Sequence, residues 1–239
     1  MTDLSIPDPP SELPKRPLIL AGVVGMLLLL YLLAATGGLP LLRLLGLGRP
    51  FAVYFFSNRT LFWVCVGLAW WYAVKVEKQP LLLWRERRQG IMHYAGAMIL
   101  LAVVIYICLF IANLLIYMVT HKTEQSETVE RLIRYCRAHP FLLFYSVVTA
   151  GVTEELLFRG YLLPRLELFT GNRNAAILIS SLLFGLGHYH YGTVRNVVGA
   201  MIIGLVLAVY YDRWRNIKVI ILFHILWDTA VFYLSFRHR

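Results

Sequence analysis

Six ionisable residues in the second half of the chain have the types and the spacing for acid–base chemistry inside a membrane. They fall in three apolar segments, with two glutamates and an arginine in the first, a histidine at the end of the second, and a histidine and an aspartate in the third: Glu154, Glu155, Arg159, His188, His224 and Asp228. An ionised side chain near the bilayer centre costs at least about 2.5–3.5 kcal/mol on insertion scales, so such residues mark functional sites. We therefore expect these six side chains to face one another or a wet cavity.

The spacing of these residues gives them different directions. Glu155 and Arg159 are four residues apart, share one helix face and can pair. Glu154 is turned about 100° from Glu155, as 3.6 residues per turn requires, so it is free to point into a cavity. His224 and Asp228 also lie four apart on one face. The two glutamates are therefore predicted to have different tasks.

Depth brings Glu154 and His188 to the same level. At about 1.5 Å per residue, each lies roughly 20 Å along its predicted span, and the two spans are antiparallel. A carboxylate and a histidine that face each other around water form a general-base arrangement. His224, with a hydrogen-bonding partner at 228, could stabilise an oxyanion in acyl transfer.

The composition indicates a membrane protein. Of the 239 residues, 59% are hydrophobic and 15% charged, whereas soluble domains have about 45–50% and about 25%. This excludes a soluble enzyme, a disordered chain and a disulfide scaffold. The net charge of +10 comes from basic residues scattered over short loops, which suits lipid head groups rather than nucleic acid. We predict an all-α, polytopic membrane bundle of about seven or eight transmembrane helices.

Hydropathy gives seven candidate spans, a short amphipathic helix at Ser126–Ala138 and a possible eighth element at Leu39–Asn58. The spans are Leu18–Thr36, Thr60–Val76, His93–Val119, Phe141–Leu163, Ala175–Tyr189, Val194–Tyr211 and Ile217–Phe236. Pro164 and the Gly171-Asn172 pair are predicted to break the chain after the fourth span, which places Arg165 in a loop. The first three spans are predicted to hold almost no ionisable group. The predicted regions are a disordered leader (1–17), N-terminal transmembrane helices (18–119), a polar loop (120–139) and a four-helix catalytic core (140–239).

Three short motifs carry a resemblance to a known family. EELLFR from Glu154 fits EExxxR, FGLGH ending at His188 fits FxxxH, and HILWD from His224 fits HxxxN/D, in this order. Over about Phe141–Phe236 the chain resembles the CAAX prenyl endopeptidase and bacteriocin-processing (CPBP/ABI) family of intramembrane glutamic proteases. The resemblance implies a membrane endopeptidase without a cofactor.

The resemblance also implies a role for each residue. Glu154 and His188 would activate water, and Glu155 and Arg159 would brace the site. His224 and the residue at 228 would form the oxyanion site. Asp228 departs from the asparagine form of the motif, so it must be protonated, or donate through water, to help an oxyanion; when charged, it would orient His224.

The implied partners are the lipid bilayer and a protein or peptide substrate with an apolar C-terminal tail, in a prokaryotic plasma (inner) membrane. Two other readings fit the same residues. A zinc metalloendopeptidase would use Glu154, His188 and His224 as ligands, although no HExxH motif is present. A non-catalytic transporter or scaffold would use the same intramembrane charges in another way.

Overall fold

The computed structural model describes residues 15–36, 51–122 and 125–237, and all regular structure within these ranges is helical. Most of the predicted leader and most of the possible element at 39–58 lie outside the described residues. The helices are α1 (Arg16–Thr36), α2 (Phe51–Tyr72), α3 (Ile91–Thr120), α4 (Glu127–Ala138), α5 (Pro140–Glu155), α6 (Leu163–Thr170), α7 (Arg173–Leu186), α8 (Val194–Trp214) and α9 (Ile217–Arg237). A π-helical turn, Ala73–Glu77, continues α2, a second, Leu156–Leu162, joins α5 to α6, and a 3₁₀ turn covers Tyr189–Tyr191.

Four helical segments in the described ranges are long and apolar enough to cross a membrane. They are Ile91–Thr120, Pro140–Thr170, Val194–Trp214 and Ile217–Phe236. The apolar part of α1, Arg16–Leu32, is shorter. The predicted class, an all-α polytopic membrane bundle, is confirmed.

The predicted break at Pro164 is wrong. The helix that begins at Pro140 runs on to Thr170, because the π-helical turn Leu156–Leu162 precedes the proline and Pro164 falls in the first turn of α6. A proline is tolerated there, where its missing N–H would have no helical partner. The helix ends at Gly171, whose φ of +64° suits a glycine cap. Arg165 is consequently buried in the bundle instead of lying in a loop.

Two other predicted boundaries change the site. Helix α2 begins at Phe51 rather than at Thr60, so it includes Arg59. The expectation that the early spans hold almost no ionisable group is therefore wrong for α2. Helix α7 ends at Leu186, and His188 follows it in the turn that leads to the 3₁₀ segment. The C-cap of α7 is Gly187, which is why the histidine is not helical.

Glycines allow the helices that carry the site to approach closely. At Gly151 of α5, an added Cβ would lie 2.5 Å from the Cγ1 of Ile225 and 3.1 Å from its backbone nitrogen, so α5 and α9 nearly touch. At Gly185 of α7, an added Cβ would lie 2.7 Å from Met201 Cβ and 2.8 Å from Val197 O on α8. These contacts fix the distances between the helices that carry the polar groups.

The amphipathic helix predicted after α3 is present as α4. Ser126 is its N-cap and accepts a hydrogen bond from the Val129 N–H at 3.1 Å. The Ser126 hydroxyl also donates to the Tyr191 carbonyl at 2.5 Å. The apolar face, with Leu132 and Cys136 buried, packs on the bundle. This helix therefore ties the polar segment to the turn that follows His188.

Candidate active site

Glu155 lies at the centre of a buried network in the last turn of α5. Its Oε1 accepts a hydrogen bond from Arg159 Nη1 at 3.0 Å and lies 2.8 Å from His224 Nδ1. The Arg159 Nη2 donates to the Gly204 carbonyl at 3.0 Å, and the guanidinium lies 4.3 Å above the Phe184 ring. The contact expected from the i,i+4 spacing is present, and the same carboxylate also holds the histidine of α9.

His224 lies between two carboxylates. Its Nδ1 faces Glu155, and its Nε2 is 3.7 Å from Asp228 Oδ2, one turn further along α9. The His224 side chain is buried, while the Asp228 side chain is 30% exposed. Because a carboxylate can only accept, His224 must donate through Nδ1 to pair with an ionised Glu155.

Glu154 points away from this network and towards α2. Its Oε1 is 3.5 Å from Arg59 Nη1, with both side chains largely buried. Arg59 is a site residue that sequence reasoning missed. The available signal was an arginine within the apolar run Phe51–Tyr72, where a charge needs a partner.

His188 has one ring nitrogen fixed by its own segment. Its Nδ1 lies 2.8 Å from the Phe184 carbonyl oxygen. A carbonyl only accepts, so Nδ1 carries the proton, and in the neutral ring Nε2 is left as an acceptor. The Phe184 ring packs 4.9 Å from the His188 ring and 5.0 Å from Phe158. This arrangement orients the imidazole for use as a base.

Two cavities meet at these residues. The larger cavity, about 350 Å³, lies between α3, α4, α5, α8 and α9. The smaller cavity, about 80 Å³, lies between α1, α2 and the turn after α7. Both are lined by Arg59, Glu154, Phe184, His188 and Tyr191. His224 and Asp228 line only the larger of the two.

The structure thus brings Glu154 and His188 to common cavity walls and places His224 and Asp228 on one of them. Glu155 and Arg159 lie behind, in contact with each other. Within residues 15–36, 51–122 and 125–237, no group of three His, Cys, Asp or Glu side chains is placed to hold a metal ion. The three residues that the zinc reading names do not form such a ligand set.

A helical membrane bundle with buried carboxylates and histidines around internal cavities is the class of protein that this geometry defines. The family model "Type II CAAX prenyl endopeptidase Rce1-like" matches residues 137–230, a segment that includes all six predicted residues. The chain belongs to this Rce1-like family, and the resemblance drawn from the motifs is confirmed.

One curated relative is YdiL of Bacillus subtilis (strain 168), a proposed membrane peptidase. It is 29% identical over 148 residues, which are 60% of this chain and 59% of the relative. The chain thus matches less than two thirds of that protein's length. No solved structure matches the chain.

Proposed function

We propose that the protein is an endopeptidase of a prokaryotic plasma membrane that hydrolyses a peptide bond within the bilayer by means of activated water. The observation that carries this proposal is the division of labour between the adjacent glutamates. Glu155 is occupied by Arg159 and His224, whereas Glu154 lines the same two cavities as His188. Only Glu154 is therefore placed to act on a molecule inside the cavities.

In the proposed reaction, a water molecule lies between Glu154 and His188. Glu154 accepts a proton from this water, and His188 accepts a hydrogen bond from its other O–H through Nε2. The water oxygen forms a bond to the carbonyl carbon, and the carbonyl oxygen becomes an oxyanion. When the C–N bond breaks, the proton on Glu154 passes to the departing amine nitrogen. The products are a carboxylic acid and an amine, and Glu154 is again ionised.

His224 and Asp228 are proposed to stabilise the oxyanion from the wall of the larger cavity. Since His224 Nδ1 donates to Glu155, its Nε2 can donate to an oxyanion only when the ring is doubly protonated. The 3.7 Å between Nε2 and Asp228 leaves this N–H close to the carboxyl without a tight bond. Asp228 contributes a further donor only in its protonated form. Its other role is to orient the His224 ring.

The proposed substrate is a protein or peptide with an apolar segment near its C-terminus. The larger cavity supports this choice because its wall is mostly apolar, including Leu109, Ile116, Ile203, Trp227 and Val231. The name of the Bacillus relative and the family description point to the same reaction class.

The proposal is tested with the full chain in liposomes and a quenched peptide library carrying apolar C-terminal tails. Glu154→Gln and His188→Gln are expected to lower cleavage by about 10²–10⁴-fold, which is the range for a lost general base. Glu127→Gln and His139→Gln are the matched controls, because both residues are exposed on or beside α4. They are expected to cleave as the wild type does.

Each reaction is run with and without a chelator. Cleavage that survives chelation and disappears in the first two variants supports the mechanism. Cleavage that chelation abolishes and zinc restores would replace it by the metallopeptidase reading. If the wild type cleaves no peptide in the library, the endopeptidase proposal is rejected for substrates of this class.

A further inference from the structure

Arg59 is the cation that faces the proposed base. The 3.5 Å between its Nη1 and Glu154 Oε1 is long for a charge-assisted hydrogen bond, which is typically about 2.7–2.9 Å. Arg59 lines both cavities and also interacts with Tyr191. Its guanidinium has five N–H donors in a planar fork that fits a carboxylate bidentately. The loose contact with Glu154 uses little of that capacity.

Asn58, the residue before Arg59, lines the smaller cavity. Its Oδ1 is buried and has no hydrogen-bond partner among the residues that the structure describes. A buried acceptor left unsatisfied costs about 1–3 kcal/mol. A ligand in the smaller cavity that presents an N–H to this oxygen would remove the cost. The N–H of a peptide bond is such a donor.

We propose that the smaller cavity is the binding site for the free C-terminus of the substrate. Arg59 pairs with the terminal carboxylate, and Asn58 accepts a hydrogen bond from a peptide N–H of the same segment. This inference rests on the proposed function, and it names the end of the substrate that the site recognises. It makes Arg59 a specificity-determining residue for peptides that end in a carboxylate close to the cleaved bond.

The sizes of the two cavities give the substrate a direction. About 80 Å³ accommodates only a short terminal segment, whereas the apolar space of about 350 Å³ accommodates the remainder. The shared wall at Glu154 and His188 then lies at the bond between the two parts. In this arrangement the substrate carboxylate competes with Glu154 for Arg59, and binding releases Glu154 to act on water.

The first experiment uses pairs of quenched peptides that are identical except for a C-terminal carboxylate or a C-terminal amide. For the wild type in liposomes, kcat/KM is expected to be at least about tenfold higher for the carboxylate, as the loss of a hydrogen-bonded charge implies. In Arg59→Gln this ratio is expected to fall to about one, and in Arg59→Lys to an intermediate value. Arg195→Gln removes one positive charge from the larger cavity only and is expected to keep the wild-type ratio.

The ratio is an internal measurement, so partial unfolding of a variant does not change it. A ratio of about one in the wild type overturns the inference and leaves the proposed function intact. So does an equal loss on both peptides in Arg59→Gln, because Arg59 would then act only by positioning Glu154.

The second experiment measures binding without cleavage. Acetyl-trileucine is used as the free acid and as the amide, with the wild type, Glu154→Gln and the double variant Arg59→Gln/Glu154→Gln. The acid is expected to bind Glu154→Gln about tenfold more tightly than the wild type, because the competing carboxylate is gone, and this gain is expected to disappear in the double variant. The amide is expected to bind all three equally.

The two proposals can therefore fail separately. Binding selective for the acid in a chain that cleaves nothing supports the carboxylate site and rejects the endopeptidase. Binding of acid and amide with equal affinity to Glu154→Gln rejects the carboxylate site, whatever the activity.

Discussion

The helix from Pro140 to Thr170 carries two arginine–carboxylate pairs that differ in how completely they are satisfied. At its far end, Arg165 donates to both carboxylate oxygens of Glu77, with distances from 2.6 to 3.1 Å, and to three backbone carbonyls. Its guanidinium also lies 3.9 Å above the Tyr161 ring. In the candidate site, Arg59 reaches Glu154 by a single long contact of 3.5 Å.

Unsatisfied polar atoms follow the same division. Within the described ranges, three buried side-chain polar atoms have no partner: Asn58 Oδ1, Glu155 Oε2 and Arg159 Nε. Asn58 lines the smaller cavity, and the other two belong to the network behind Glu154. Folding saturates the Glu77–Arg165 end of the helix and leaves hydrogen-bonding capacity at the other end. The first arrangement suits a structural clamp, and the second suits a site that receives water and a substrate.

The largest effect on stability is expected from breaking the Glu77–Arg165 clamp. Arg165→Met leaves a buried carboxylate without its partner and is expected to lower the free energy of unfolding by about 3–5 kcal/mol. Glu154→Gln is expected to change it by less than about 1 kcal/mol although it removes activity. Denaturant titration of the purified protein in detergent measures both.

The double variant Glu77→Met/Arg165→Met is the control for this experiment. It removes both charges together, and such replacements by apolar residues are often neutral or stabilising. We expect it to recover most of the loss. Equal destabilisation by Arg165→Met and Glu154→Gln would mean that the two ends of the helix do not differ.

A smaller effect, confined to the site, is expected from Gly185→Ala. The new Cβ would lie 2.8 Å from the Val197 carbonyl, so α7 must move away from α8. Overpacking of this kind costs about 1–3 kcal/mol. Because His188 follows α7 directly, a displacement of about 1 Å would lower the rate by roughly 10²-fold.

Gly67→Ala is the matched control, since its Cβ would meet no described atom within 4 Å. It is expected to retain the activity and stability of the wild type. Wild-type peptide cleavage in Gly185→Ala would contradict the claim that the close contact between α7 and α8 positions His188.

The sequence predicted the helical bundle well because apolar runs of membrane length are a strong signal. Five of the seven predicted spans agree with observed helices to within a few residues at both ends. The prediction failed at Pro164, where a proline was taken as a break. The local signal is the same whether a proline ends a helix or begins the turn after a π-helical segment, and here the buried Arg165 and its clamp belong to a continuous helix.

The contacts inside the site were predictable only within one helix. The i,i+4 rule places Glu155 beside Arg159, and that contact is observed. The contacts of Glu155 with His224 and of Glu154 with Arg59 join residues 69 and 95 positions apart. They depend on how α5 packs against α9 and α2, which hydropathy does not specify. The roles proposed for the six residues stay predictions until the variants are measured.

The smallest expected effect concerns a carboxyl group between α2 and α3, on the structural side of the comparison. Glu86 Oε1 accepts a hydrogen bond from the Tyr211 hydroxyl at 2.8 Å, and Oε2 accepts from the Ile217 N–H at 2.6 Å. Burial raises the pKa of Glu86 above its ordinary value of 4.5, although the Ile217 N–H and the Tyr211 hydroxyl oppose the shift. Unlike Glu77, this carboxyl is held mainly by neutral donors.

A raised pKa in the folded state means that folding favours the protonated carboxyl. Stability is therefore highest below 4.5 and falls as the pH rises from there through the folded-state pKa. Glu86→Gln keeps an acceptor oxygen and cannot ionise, so its advantage over the wild type is expected to grow across this interval and then stay constant. Unfolding at a series of pH values measures this difference. Glu127→Gln controls for the loss of an exposed charge, and parallel pH profiles for Glu86→Gln and the wild type would show that a clamp made of neutral donors tolerates the charge.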